Sequence, residues 1–296
     1  MIEGLISLFF ANLIGGALNP LFVKLGIHEF PVLTFSALRF LIATIVFLPF
    51  FFVSQKNFDK KHVKTLILYT TFFSANALLY GIGLQFTTAL VSQVLYTTVP
   101  IFTGILSFII IHERFGANKI IGAVIAMSGV ALLIFQSLQK SNYVSLGSVE
   151  GNIIIIAAIL CWSLYLVLSK RLTNLYSPTV TSLTSFILTF IIAAIFMPLE
   201  WLVRPFVASQ VTIVGIESLL GIGIISSALS YFLIQYGVKK TTPFTASIFF
   251  YLAPLFSSLT AIPILHEKVT PQLVIGGILI LTGVFFATTY ELLKKK

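Results

Sequence analysis

Apolar residues run through this chain in stretches of about twenty, cut by short polar turns. Ten such stretches can be read, at roughly 5–24, 33–53, 64–83, 88–111, 117–136, 151–170, 178–199, 211–236, 244–265 and 271–290. Twenty residues of α-helix, rising 1.5 Å each, match a hydrocarbon core about 30 Å thick, so each stretch predicts one crossing of a membrane. The turns carry helix-start chemistry. Ser177-Pro178, Thr242-Pro243 and Thr270-Pro271 place a capping hydroxyl before a proline of the first turn, and Pro31, Asn57-Phe58-Asp59, Thr87-Thr88 and Gly116-Ala117-Asn118 mark the other breaks. No connection has room for a soluble domain. The first stretch has no basic leader and runs straight into the second, so a cleaved signal peptide is not expected.

Composition agrees with a lipid solvent. Hydrophobic residues make up 58% of the 296 and charged ones only 9%, with a mean hydropathy of +1.06, whereas soluble domains carry about 25% charged residues. The net charge of +9 then belongs to loop lysines rather than to a nucleic-acid surface, and no nucleic-acid partner is expected. One cysteine, Cys161, excludes an internal disulfide and a cysteine metal site.

The chain also repeats itself. Thr88-Ala89-Leu90, Pro100, His112-Glu113-Arg114, Gly122 and Gly129 return as Thr242-Pro243-Phe244, Pro254, His266-Glu267-Lys268, Gly276 and Gly283, each 154 residues later. Loop charge sets the orientation. With the N-terminus inside, thirteen Lys and Arg fall in inner loops and the tail, four in outer loops, and Arg39 within a span, so both termini are expected in the cytoplasm. Five spans per half is an odd number, so the second half must cross upside down. The expectation is an all-α integral membrane protein of ten transmembrane helices, built as two inverted five-helix repeats, N-in and C-in. The repeats cover 1–137 and 151–291, joined by a linker at 138–150 and followed by a basic tail at 292–296, whose Lys294–Lys296 run anchors at the anionic inner leaflet.

Several motifs carry a resemblance. Gly15-Gly16-Ala17-Leu18-Asn19-Pro20-Leu21-Phe22-Val23-Lys24 closes span 1, and Cys161-Trp162-Ser163-Leu164-Tyr165 with Lys170 forms its counterpart in span 6. Leu38-Arg39-Phe40 lies in span 2, and Pro, His-Glu-Arg/Lys, Gly and Gly-Val recur in both halves. The whole chain resembles the drug/metabolite transporter superfamily, in its ten-helix branch with two EamA-type repeats. One departure is Gly16, where that family often has Trp. The resemblance implies a solute carrier of the cell's inner (cytoplasmic) membrane, often an exporter of amino acids or related metabolites.

Polar side chains inside spans mark the transport path, because lipid penalises them and they turn to an aqueous interior. Asn12 and Asn19 share a face of span 1, Asn76 and Tyr80 a face of span 3, and Gln93, Tyr96, Thr97 and Pro100 form a stripe on span 4. The repeat partners of that stripe are Ser247, Phe250, Tyr251 and Pro254; the partner of Asn76 is Ser230, next to Tyr231. Trp162 and Tyr165 come from span 6. Together these predict a midplane cavity between the repeats. Its aromatic walls can hold an ammonium by cation–π contact and its amides a carboxylate. The alternative for each residue is interhelical hydrogen bonding. Pro100 and Pro254, mid-span and paired, are candidate gating hinges.

Charges in the spans are few. Glu217 and Arg39 lie at similar depth and can form an outer ion pair or a proton-coupling site; the alternative is snorkelling of Glu217 to the interface and lipid or carbonyl contacts for Arg39. His112-Glu113 and His266-Glu267 lie at span ends without further ligands and read as turn and capping residues, so no metal and no cofactor are expected. Gly122, Gly129, Gly276, Gly277 and Gly283 allow close helix contact, either between the two halves or across a homodimer.

The function read from this is a membrane carrier of small molecules, exporting amino acids or related amines. The alternatives are uptake or exchange of nucleotide-derived or S-adenosyl metabolites, and drug efflux. An enzyme would need a nucleophile–base set, paired acids or a metal cluster in the spans, which hold none; a channel would need a repeated filter or a ring of charge.

Overall fold

The computed structural model describes residues 1–54, 59–87, 89–140, 148–253, 255–256 and 271–294. Among them every regular element is helical. In chain order these are α1 (Ile2–Glu29), α2 (Val32–Ser54), α3 (Val63–Phe86), α4 (Ala89–Tyr96), α5 (Val99–Ile111), α6 (Ala117–Lys140), α7 (Val149–Leu172), α8 (Pro178–Trp201), α9 (Ile213–Leu220), α10 (Tyr231–Lys240), α11 (Pro243–Ile248) and α12 (Pro271–Lys294). Among the described residues seven helices are long and apolar enough to cross a membrane, counting α4–α5 and α9–α10 as one each; three shorter apolar helices lie at Ala117–Leu132, Pro243–Leu252 and Val274–Thr288. The chain is a multi-pass membrane protein.

The capping residues act where the sequence places them. Ser177 Oγ accepts from Val180 N at 3.3 Å and Thr242 Oγ1 from Thr245 N at 3.2 Å, each ahead of a first-turn proline. Ser148 and Thr212 cap α7 and α9 in the same way. His112 ends α5 in the left-handed region, with φ 53°. His266-Glu267, Pro254 and the linker at 141–147 lie outside the described residues.

Polarity is reversed relative to a soluble fold. Ile45, Phe50, Phe108, Ile153, Ile195 and Ile278 are exposed, while Ser74, Asn76, Ser163, Ser185, Thr189 and Ser227 are buried. Many inner hydroxyls return to a carbonyl one turn back, as Thr70 does to Leu66 and Thr189 to Ser185, so little polarity remains for lipid to meet.

The halves pack by reciprocal pairs. α3 lies along α7 and α1 along α9–α10, while α2 pairs with α8 and α6 with α12; exchanging the halves leaves this set unchanged. The tightest crossing is α6 on α12. A Cβ on Gly122 would stand 2.6 Å from the Gly283 carbonyl, one on Gly129 2.6 Å from that of Gly276, and one on Gly283 2.4 Å from Ala126 N. The repeated glycines therefore join the two halves of one chain. Two lysines act as a second reciprocal pair. Lys24 Nζ donates to the Leu84 carbonyl at 3.4 Å, and Lys170 Nζ donates to those of Val238, Lys239 and Thr241 at 2.9, 3.0 and 2.5 Å. Leu84 and Val238 are themselves repeat partners.

Two irregularities interrupt the helices. α4 stops at Thr97-Thr98, whose hydroxyls bond back to Val94 and Leu95 carbonyls, before α5 begins. Pro100 therefore sits in the first turn of α5 rather than inside a kinked helix, and its missing N–H costs nothing there. Between α9 and α10, Gly221–Ser230 widens into a π-helix, a rare form that occurs frequently at functional sites.

Valine at Gly129 or Gly283 should lower thermal stability in detergent by about 1–3 kcal/mol, because the new side chain meets backbone that cannot yield. Gly277→Ala, whose Cβ faces only the flexible end of Leu255 at 3.0 Å, should melt within a degree or so of the parent. Melting curves on the three variants check both statements.

Candidate functional site

A cavity of about 710 Å³, counting space open to the outside, lies between the halves. Its walls come from α1, α2, α3, α4, α7, the π-segment with α10, and the chain after α11. α1 contributes Asn12, Gly15, Gly16, Asn19 and Pro20, and α2 contributes Arg39. α3 adds Asn76 and Tyr80, α4 Gln93 and Tyr96, and α7 Trp162. The π-segment and α10 bring Ser230, Tyr231 and Ile234; the chain after α11 brings Phe250 and Ala253.

The backbone explains how these side chains converge. Gly15 and Gly16 let α1 approach closely, since a Cβ on Gly15 would lie 2.8 Å from Ser230 Oγ and one on Gly16 2.9 Å from Ala253 Cα. Pro20 donates no N–H to the Gly16 carbonyl, which frees that carbonyl at the cavity wall. Asn76 is the polar node: its Nδ2 donates to Tyr96 OH at 2.6 Å and to the Ala158 carbonyl at 2.8 Å, tying α3 to α4 and α7. Tyr80 meets Tyr96 edge-on at 5.3 Å, and Trp162 lies 5.8 Å from both Tyr231 and Phe250. The lining is thus a set of amides, phenols and an indole, with Arg39 its charged member.

Nine of the twelve proposed binding residues border the cavity: Asn19, Asn76, Tyr80, Gln93, Tyr96, Trp162, Ser230, Tyr231 and Phe250. Three do not. Tyr165 is buried beneath Trp162, with its hydroxyl hydrogen-bonded to Ser185. Ser247 gives its hydroxyl to the Phe244 carbonyl. Tyr251 is buried in the core within the 3-10 turn at Phe249–Leu252, and its neighbour Phe250 borders the cavity instead. The hinge reading of Pro100 meets a helix break at Thr97-Thr98, and Pro254 is not among the described residues.

The structure separates Arg39 from Glu217. Glu217 is exposed on α9, one turn from the end where Glu29 holds Thr212 through its N–H at 2.8 Å and hydroxyl at 2.7 Å. Arg39 is buried deeper, donating from Nε to Ser227 Oγ at 3.2 Å and from Nη2 to Tyr231 OH at 3.4 Å. Sequence reasoning missed Ser227 and the wall role of Arg39. The available signal was an in-span arginine with no acid at helical spacing.

Both ends of the bundle are tied. At one, Glu200 accepts from the first N–H groups of α2, Trp201 donates to Thr34, and Arg204 bonds to carbonyls ending α1. At the other, Glu3 pairs with Lys240 at 3.1 Å and accepts from Tyr236, beside the Lys170 cap.

Known proteins resemble this chain in sequence and in fold. The sequence model of the EamA-like transporter family matches residues 4–135 and 149–289. A Bacillus subtilis protein named as an uncharacterized transporter, YetK, is 29% identical over 88% of this chain and 80% of its own length. An uncharacterized transporter of Archaeoglobus fulgidus is 23% identical over 92% of both chains, and YoaV of Bacillus subtilis, named likewise, 24% over 90% of both. A solved crystal structure, titled only as that of a protein, superposes with a TM-score of 0.77 at 18% identity, over 97% of this chain and 96% of the other; it shows the same fold.

Asn76→Ala should leave the Tyr96 hydroxyl and the Ala158 carbonyl buried without partners and cost about 1–3 kcal/mol. The melting midpoint of the purified variant reads this loss. An unchanged midpoint would mean that Asn76 is not the node holding α3 to α4 and α7.

Proposed function

The chain belongs to the EamA-like transporter family, and on that premise we propose an alternating-access carrier that exports amino acids or related amines through the cavity between its halves. The observation that carries the reading is the cavity itself: it draws walls from both halves and combines amides with five aromatic rings. An ammonium is stabilised over aromatic faces by about 0.5–2 kcal/mol, more where water is excluded, and Tyr80, Tyr96, Trp162, Tyr231 and Phe250 offer such faces. The amides of Asn76 and Gln93 supply polar contacts for the rest of a small zwitterion.

The membrane arrangement belongs to the same proposal. The three shorter apolar helices complete ten spans, the second five inverted relative to the first, with both termini on the cytoplasmic side of the cell membrane. Reciprocal packing of α6 with α12, α2 with α8, and α3–α7 with α1–α9/α10 supports a pseudo-two-fold relation, and the Lys and Arg bias supports the orientation. Rocking one half on the other about the α6–α12 crossing would open the cavity to each side in turn.

Two experiments test this. Counterflow of a labelled amino-acid panel in proteoliposomes should be found for one class and fall roughly tenfold or more in Tyr96→Ala and in Trp162→Ala; absence of flux for every amino acid sinks the substrate assignment. In a Cys161→Ser background, an impermeant maleimide applied to intact cells should label Val203→Cys and spare Arg114→Cys. The opposite pattern inverts the proposed orientation.

A further inference from the structure

Arg39 is a buried charge with no acid opposite it; its guanidinium lies over the Phe40 ring, 4.5 Å from the centroid, a contact that offsets part of the charge and uses none of its N–H donors. It is 3% exposed, and the two hydrogen bonds of its guanidinium go to neutral hydroxyls. Those use two of its five N–H donors. Among the described residues the ion pairs are His62–Asp59, Lys119–Glu113 and Lys240–Glu3, none at the cavity. No Asp or Glu among the described residues lines the cavity. Removing a cation from water without a counter-charge costs several kcal/mol, and arginine cannot escape by losing its proton. A scaffold role would be met more cheaply by a neutral donor such as glutamine.

The surroundings suit an incoming anion. Ser227 and Tyr231 fix the guanidinium from one side. The Trp162 indole N–H, in a side chain 2% exposed, has no partner and lines the same cavity, its ring 5.8 Å from that of Tyr231. The Ser227 contact comes from the π-segment, and a Cβ on Gly223 there would stand 3.3 Å from the Arg39 carbonyl, so the widened turn and α2 are fitted together. The planar fork of one arginine matches one carboxylate, whereas a phosphate dianion would leave a charge unmatched.

We propose that Arg39 is the anion anchor of the transport site, gripping the substrate carboxylate with the Trp162 indole N–H as a further donor, so that carboxylated metabolites are carried and their decarboxylated amines are not. This rests on the carrier reading above and narrows it.

The test is ligand-induced shift of the melting midpoint in purified protein. The probes are leucine, phenylalanine and methionine, each with its decarboxylated amine and its 2-oxo acid, at about 10 mM, enough to detect millimolar binding. The proposal expects carboxylated probes to raise the midpoint of the wild type and the amines to leave it unchanged. Arg39→Lys should bind the same probes more weakly, and Arg39→Gln about tenfold or more weakly. If Arg39→Gln does not fold, the acid-against-amine comparison in wild type and the Arg39→Lys titration still decide. Amines shifting the midpoint as well as acids do, or Arg39→Gln keeping full affinity, overturns the anchor and leaves an amine carrier standing. Shifts from 2-oxo acids alone keep the anchor and overturn the amino-acid reading. No shift from any carboxylate overturns the anchor; with shifts from the amines the amine carrier stands, and with no shift from any probe the amino-acid and amine reading falls as well.

Discussion

In hydrocarbon an unpaired N–H or carbonyl has no water to turn to, and leaving it so costs several kcal/mol. This penalty shapes the interior of the molecule. Serine and threonine hydroxyls fold back on carbonyls one turn away, lysines cap helix ends, and the broken end of α4 is closed by its own two threonines. Polarity that is not satisfied locally faces inward. At the cavity, Asn19 Oδ1 and the Trp162 indole N–H remain without protein partners, and Arg39 lines the same wall.

The same penalty makes the two halves interdependent. Between α6 and α12 the backbones meet glycine on glycine, with no room for a Cβ on either side. Duplication supplies both sides of that contact with the same sequence feature. The halves are nevertheless not copies in detail. The π-helix of Gly221–Ser230 has an ordinary α-helical counterpart within α3, and this is the segment that supplies Ser227 to Arg39.

Much of this was legible in the chain. Ser177-Pro178 and Thr242-Pro243 named their helix starts because capping is a local interaction. Asn76 with Tyr80, and Gln93 with Tyr96, could be placed on common faces because helical spacing is also local. What spacing could not give was any outcome decided by a neighbouring helix. The burial of Tyr251 away from the wall, and the widening around Ser227, which meets Arg39 on α2, are outcomes of that kind. Arg39 looked like a partner for Glu217 because depth was readable and azimuth across the bundle was not.

The two lysine caps are unequal. Lys170 ties three carbonyls at one end of the bundle, while Lys24 reaches a single carbonyl at the other, and at the limit of a hydrogen bond. Any movement that parts the helices therefore has more polar contact to break at the Lys170 end, where one side chain spans the passage from α10 to α11, than at the Lys24 end.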